Sequence, residues 1–310
     1  MKEGIKMIIV TSGKKYIDID AYAGCIAYAQ LLNLKGIEAK AISTAKINES
    51  ITPSLLDLPL KLDNYEPKEN DKYVVIDVSN KDYFDTFVEE DRVIEIIDHH
   101  VGYEEYWNNK LKDKSKIEFI GAVATIVLEF YEKEGLIDKI SKDTALLLMS
   151  AILDNTLNLK AKVTTERDII AYNKLEKIIG DEKYTKNYPE KYFKECQLKI
   201  NNDLVLAIQN DTKIEHIDYV LPPIFSQLVI WNKDSILQKK DTIYKTLNNI
   251  GEQWVLNLIC LEDGKSYLIS NNLENKKSIE KLFNKKFEKD IMILNNVWLR
   301  KEIMKLALDK

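Results

Sequence analysis

Histidine is scarce in this chain: three residues in 310. Chemistry that needs an imidazole must use His99, His100 or His216, and two of these are adjacent. Cysteine is as rare. Cys25, Cys196 and Cys260 lie far apart in apolar segments, with no CxxC pair. That excludes zinc ribbons and dithiol redox motifs and leaves free, buried thiols as the expectation. Long apolar runs are missing too; none approaches the roughly 18 residues of a membrane span. The opening MKEGIKMIIV has too short an apolar stretch for a signal peptide, so a cytoplasmic protein is expected. A basic excess is lacking: 45 Lys and Arg face 50 Asp and Glu, a net charge of −5. That argues against a general nucleic-acid binder, though not against a local basic pocket.

What is present is an ordinary globular balance, 45% hydrophobic and 31% charged, in a length that suits two domains. The first half alternates short β-rich runs with helical patterns. KYVVIDV (72–78) and VIEII (93–97) are near-continuous apolar runs of the kind found in central strands of a parallel sheet. Lys6–Val10, Glu38–Ile42 and Lys116–Ile120 are further strand candidates, and Asp20–Leu34 carries helical spacing. From Gly121 to Gly180 the pattern is helical, with Ser141 and Thr165 as N-cap residues and Gly135 and Gly180 as terminators. The polar stretch 181–191 reads as a hinge. Beyond it the chain alternates again: a charged helix near 190–209, a strand at FSQLVIW (225–231), a helix near 234–249, then WVLNLICLE, KSYLIS and IMILN. The expected architecture is α/β. A doubly wound, mainly parallel N-terminal domain (1–182) and a smaller α/β C-terminal domain (192–310) flank a linker at about 183–191.

In such sheets ligands bind beyond the carboxyl ends of the strands. Acids recur there. Asp18 and Asp20 follow the first strand, Asp77 closes the 72–78 strand, and Asp98, His99 and His100 close the next. Asp154 comes later, in a helical stretch. Each element alone is weak evidence. A DxD pair is common by chance, Asp154 alone reads as an exposed helix acid, and His216 has no such company and reads as an ordinary surface or hinge residue. Together they place acids and two imidazoles where strands end. Clustered carboxylates disfavour joint ionisation. Divalent cations reverse that, and an oxygen-rich set with an imidazole suits Mn²⁺ or Mg²⁺. Two such ions are a common device for phosphoryl transfer to water.

These residues together resemble the DHH phosphoesterase superfamily. The motifs stand in order as Asp18-Ile-Asp20-Ala21, Asp77, Asp98-His99-His100 and Ser150-Ala-Ile-Leu-Asp154, with Gly121-Ala-Val-Ala-Thr125 as the glycine-containing segment before a helix. In the second half Asn210-Asp211-Thr212-Lys213, Phe225-Ser226-Gln227-Leu228 and Arg300-Lys301 resemble the domain of manganese-dependent (family II) inorganic pyrophosphatases, cytosolic exopolyphosphatases and prune-like proteins. The resemblance implies a metal-dependent phosphohydrolase acting on a phosphoanhydride, pyrophosphate or polyphosphate. Asp18 and Asp77 would serve one metal. Asp20, Asp77, His99 and Asp154 would serve the other, with Asp77 shared. His100 would act at the leaving phosphate and Asp98 would orient an imidazole. Lys213, Arg300 and Lys301 would bind phosphate. No membrane or nucleic-acid partner is expected, and a homodimer is compatible with the resemblance.

Two departures stand out. Lys14 occupies the place of the family's first histidine ligand, and an ammonium cannot coordinate a metal. One metal site is then weakened, or Lys14 supplies positive charge toward substrate in its stead. Leu299 replaces the serine that precedes Arg-Lys in the family. Two rival functions remain. A phosphodiesterase on short oligonucleotides or cyclic nucleotides would call for base-contacting aromatic and glycine-rich features in the second half. A catalytically weak protein that binds a phosphorylated ligand would explain Lys14, but not the full acid set.

Overall fold

The computed structural model describes residues 7–214 and 221–308; His216 lies outside them. The chain forms two compact units. One comprises the described residues up to Leu159 with Val163–Pro189, the other Lys160–Lys162 with the residues from Glu190 onward.

The first unit runs β1 (Ile8–Thr11), β2 (Tyr16–Ile17), α1 (Ile19–Leu34), β3 (Ala39–Ala41), β4 (Lys46–Ile47), α2 (Pro53–Leu56), β5 (Lys72–Ile76), β6 (Val93–Asp98), α3 (Glu104–Leu111), β7 (Ser115–Ile117), α4 (Val123–Lys133), α5 (Lys142–Asn155) and α6 (Glu166–Ile179). β2 and β4 form a small parallel pair. The main sheet has the order β3-β1-β5-β6-β7, and every pairing in it is parallel. The chain moves outward from β1 to β3 and then returns to the other side of β1 for β5. The direction of winding therefore reverses between β1 and β5, where such folds open their ligand crevice.

Helices cover both faces, which is why strands such as KYVVI are apolar throughout. Trp107 of α3 packs with Phe84, Tyr73 and Ile96 on one face. On the other, α1 is buried along nearly its whole length and packs against α4 and α5 as well as the sheet. Gly24 permits that approach, because a Cβ there would meet Ile76 Cγ2 at 2.8 Å. The expected caps form. Ser141 accepts from Thr144 N, and Thr165 with Asp168 makes a capping box on α6.

The stretch expected as a linker is helical. α7 runs unbroken from Glu182 to Asn202 with Pro189 inside it. Asp181 starts it by accepting from Tyr184 N, and the proline removes only one N–H from the ladder.

The second unit continues with α8 (Leu204–Asn210), β8 (Thr212–Ile214), β9 (Ile224–Ile230), α9 (Asp234–Leu237), α10 (Lys240–Ile250), β10 (Trp254–Cys260), β11 (Lys265–Ile269), α11 (Leu273–Phe283), β12 (Ile291–Leu294) and α12 (Arg300–Leu308). Its sheet, β12-β11-β10-β9-β8, is antiparallel except where β9 and β10 run parallel. Alternate residues feed two cores. Ile224, Leu228, Leu256 and Leu258 meet α8 and α10 residues, while Phe225, Val255 and Leu268 meet Ile279 of α11 and Ile303 of α12. The single helix expected near 234–249 is two, α9 and α10. α12 was not expected at all. Glu302 caps it by accepting from Leu299 N, and Ile303 and Ala307 give it a buried face.

The three cysteines are free and buried, as expected. Among the described residues no helix is long and apolar enough to cross a membrane.

Candidate metal centre

β5 and β6 carry the centre. Asp77 follows the last residue of β5, its N–H bound to Ile97 O at 2.9 Å. Its φ is +62°, a left-handed conformation costly for a residue with a Cβ and often found at functional sites. That twist turns its carboxylate toward the end of β6. There His99 Nε2 lies 3.2 Å and His100 Nδ1 3.8 Å from Asp77 Oδ1. The ligand-capable atoms of these three residues all lie within 4.8 Å of one another. Among the described residues, Asp18, Asp20 and Asp154 are not members of that tight group.

The two histidines have opposite settings. The His99 side chain is 2% exposed and the His100 side chain 49%. His99 Nδ1 is 3.1 Å from the carbonyl of Ile120. A carbonyl only accepts, so Nδ1 carries a proton and Nε2 is the nitrogen turned toward Asp77. Imidazole nitrogen and carboxylate oxygen are 3.2 Å apart, a separation that two ligands of one cation would have. Nitrogen and oxygen ligands roughly 2.1 Å from one ion, at a right angle, lie roughly 3 Å apart. The donor set fits a divalent metal on this ground. Asp98, fully buried, collects three donors on Oδ1: His99 N at 2.7 Å, His100 N at 3.1 Å and His100 Nδ1 at 2.9 Å. Its Oδ2 is buried and has no hydrogen-bond partner among the described residues. Asp98 thereby fixes the backbone turn at the histidine pair and the ring of His100, leaving His100 Nε2 as the outward nitrogen.

The remaining motif acids are placed by backbone amides. Asp18 is the N-cap of α1, with Oδ1 accepting from Asp20 N and Ala21 N. Asp20 is fully buried and reaches across the fold to the first amides of α4, accepting from Val123 N and Ala124 N at 2.8 Å each. A carboxylate at a helix N-terminus is favourable by charge as well as by hydrogen bond. Asp154 lies one residue before the end of α5 and is half-buried. Burial above all, and then the negative fields of Asp77, Asp18 and Asp85, push the Cys25 thiol well above its ordinary pKa. A thiol held protonated in this way is a poor nucleophile and a poor ligand.

Lys14 is exposed, in the loop after β1, its N–H bound to Tyr83 O at 2.9 Å. In the second unit Lys213 is exposed on β8, and Lys301 is in the first turn of α12. Arg300 has a different post. Its guanidinium is committed to Asp211, at 2.6 Å to Oδ1 and 2.7 Å to the carbonyl, and to Phe225 O at 3.1 Å. Its side chain is 9% exposed. It ties the terminal Arg-Lys to the Asp-x-Lys segment rather than projecting outward.

Two residues matter that the motif reading missed. Asp168, fully buried in the α6 capping box, also accepts from Gly121 N at 3.0 Å, Ala122 N at 3.3 Å and Thr125 Oγ1 at 2.6 Å. It thus fixes the Ile120–Ala122 segment whose carbonyl sets the His99 tautomer. Gly121 is required there: a Cβ would come within 2.6 Å of Asp168 Oδ2 and 2.7 Å of Thr156 Cγ2. Asp85, 1% exposed, accepts from Thr44 N and Thr86 N at 2.7 Å each, and its own N–H binds Ser12 O at 3.0 Å. It pins the loop between β1 and Asp18. The cap signature Thr165-x-x-Asp168 was visible in the sequence, but its second set of partners, more than 40 residues away, was not.

Residues 8–152 match the DHH family, N-terminal domain. A Bacillus licheniformis protein named "Probable manganese-dependent inorganic pyrophosphatase" is 30% identical over 178 residues, 56% of this chain and 55% of its own length. An Exiguobacterium protein of the same name is 28% identical over 177 residues, again 56% and 55%. The chain thus spans about half the length of the curated relatives it matches. Over nearly the whole chain the likeness is one of fold. A Methanococcus jannaschii protein assigned to the family II inorganic pyrophosphatases superposes with a TM-score of 0.70 at 23% identity, covering 97% of this chain and 98% of its own. An exopolyphosphatase-related protein from Bacteroides fragilis gives 0.51 at 16% identity, with 98% and 92% covered. These two likenesses extend the shared α/β architecture over both units.

Proposed function

We propose that the chain is a divalent-metal-dependent hydrolase of phosphoanhydride bonds, with inorganic pyrophosphate or polyphosphate as substrate. The observation that carries this reading is the convergence of Asp77 Oδ1 with His99 Nε2 at 3.2 Å and His100 Nδ1 at 3.8 Å, with the Ile120 carbonyl behind the His99 ring. The match to the DHH family and the relatives named for manganese support it.

In this reading Asp77 and His99, with Asp20 and Asp154, would hold one ion, and Asp18 and Asp77 a second. Bound Mn²⁺ or Mg²⁺ would acidify water and neutralise charge on phosphate oxygens. The chain's own residues do the rest. Ile120 accepts a hydrogen bond from His99 Nδ1–H, which leaves Nε2 as the nitrogen available to an ion. Asp98 accepts from the Nδ1–H of His100, so that Nε2 faces outward and, from the imidazolium form, would give its proton to the departing phosphate oxygen. After that transfer the ring returns to the Nδ1–H form that Asp98 already binds. The buried neighbours of Asp77 exclude bulk water from its carboxylate, which strengthens every charge interaction there. From the second unit, Lys213 and Lys301 are the proposed phosphate contacts. Arg300 acts by fixing Asp211, two residues from Lys213. The domains of the proposal are 1–182 for metal chemistry and 192–310 for substrate.

The test is phosphate release by metal-stripped protein given Mn²⁺, Mg²⁺ or Co²⁺, with pyrophosphate, tripolyphosphate, long polyphosphate and a dinucleotide in parallel. Metal-dependent release from an anhydride is the expected result. Turnover of the dinucleotide alone would replace the proposal with a phosphodiesterase, and silence on all four with metal bound would leave a ligand-binding protein.

A further inference from the structure

We propose that the second unit carries a separate site for a linear phosphate polymer, in a lysine-lined hollow at the end of α11. The proposal rests on the phosphoanhydride reading above and deepens it, because it makes long polyphosphate a substrate that the protein retains between cuts.

The hollow has a volume of about 440 Å³ and is lined by Lys277, Glu280, Lys281, Asn284, Lys285 and Lys286. Lys277 and Lys281 are one helical turn apart and so lie on one face of α11. Asn284 ends the helix with φ +49°, which brings Lys285 and Lys286 back beside that face. Glu280 holds the turn. Its carboxylate accepts from Phe287 N at 2.9 Å and Lys286 Nζ at 2.8 Å. Lys277, Lys281 and Lys285 are exposed and form no ion pair among the described residues.

Two opposing charges need weighing. Glu280 contributes one negative charge, but Lys286 and the Phe287 amide compensate it and hold its carboxyl below the ordinary range. The carboxyl end of α11 adds about half a negative charge. Three uncommitted ammonium groups outweigh both. This concentration stands out in a chain of net charge −5, which would otherwise repel a polyanion.

The lining also selects among polyanions. Single-stranded nucleic acids are held by basic grooves interleaved with aromatic rings on which bases stack. Among the described residues, no aromatic side chain lines this hollow. A polymer of bare phosphates needs only cations at intervals, and the row from Lys277 to Lys285 supplies them.

The test uses the full chain in EDTA, which stops turnover, and fluorescence anisotropy with end-labelled long-chain polyphosphate. The triple variant Lys277→Glu, Lys281→Glu, Lys285→Glu is compared with a charge-matched control, Lys139→Glu, Lys183→Glu, Lys245→Glu, at exposed lysines elsewhere. The hollow variant is expected to bind at least tenfold more weakly than wild type, and the control within twofold. Glutamine at the same three positions should weaken binding in the same sense, which separates lost attraction from introduced repulsion. Equal weakening in both charge-reversed triples would overturn the site, since net charge alone would then explain binding. So would an oligothymidylate of equal charge that binds the hollow as tightly as polyphosphate. Phosphate release from pyrophosphate by the wild type with Mn²⁺ is scored separately, so a failed hydrolase and a failed hollow are told apart.

Discussion

The two units hold their charges in different ways. In the first, Asp18, Asp20, Asp98 and Asp168 are each fixed by backbone amides, and three of the four are fully buried. In the second, a buried cation, Arg300, is spent on Asp211 and two carbonyls, while Lys213, Lys277, Lys281 and Lys285 are exposed. On the functions proposed above, the contrast reflects the ligand each unit would meet. A metal ion needs oxygen and nitrogen atoms set to within a fraction of an ångström before it arrives, and amide-bonded carboxylates on strand ends supply that. A phosphate chain needs charge more than exact placement, and long flexible side chains adapt to it.

Asp77→Ala should break the contrast outright. It removes the carboxylate that faces both histidines, so activity should be lost at every metal concentration and calorimetric Mn²⁺ binding should fall sharply. Retained turnover would refute the shared role of Asp77. His100→Ala should reduce turnover on the order of a hundredfold yet leave Mn²⁺ affinity nearly unchanged. Equal loss of metal affinity in both variants would erase the division of labour between them. Asp168→Ala leaves the amides of Gly121 and Ala122 without their acceptor and should cost about 3 kcal/mol, read as a drop in thermal unfolding temperature. Mn²⁺ should also bind more weakly, because Ile120 no longer fixes His99; destabilisation without that second effect would make Asp168 purely a fold residue. Arg300→Ala should cost about 2 kcal/mol, less than a fully buried pair because Asp211 is partly open. Lysine there should recover little, since a point charge cannot reproduce the guanidinium fork. The smallest change is Lys14→His, which should tighten Mn²⁺ binding several-fold if the loop after β1 places residue 14 toward Asp18; unaltered affinity would show that it does not.

Much of the centre was legible because its residues end secondary-structure elements. VIEIID announces a buried strand, and the two histidines directly after it must sit at a sheet's carboxyl edge. Asp77 was found in the same way. Asp98 was read as the residue that orients an imidazole, and its contact with His100 Nδ1 gives that reading its geometry. Arg300 shows the limit. A motif said that it matters, and only its neighbours said that its guanidinium is already engaged. α12 and the unbroken α7 were missed for a related reason: their apolar faces are meaningful only against partners distant in the chain.

The sequence by itself determined the alternation of strand and helix, the caps at Ser141 and Thr165, the buried free thiols and the line of acids at strand ends. Each of these is set by residue type and spacing within a few positions, and such local preferences survive in any context. Only the tertiary structure decided that Asp77 turns at positive φ toward His99, that Asp20 caps a helix more than 100 residues away, and that Asp168 holds Ile120 behind the metal-facing ring. Those facts depend on which strands become neighbours and how their ends are stacked. Burial makes each orphaned amide or carboxylate costly, and the fold satisfies them with partners that no local pattern contains.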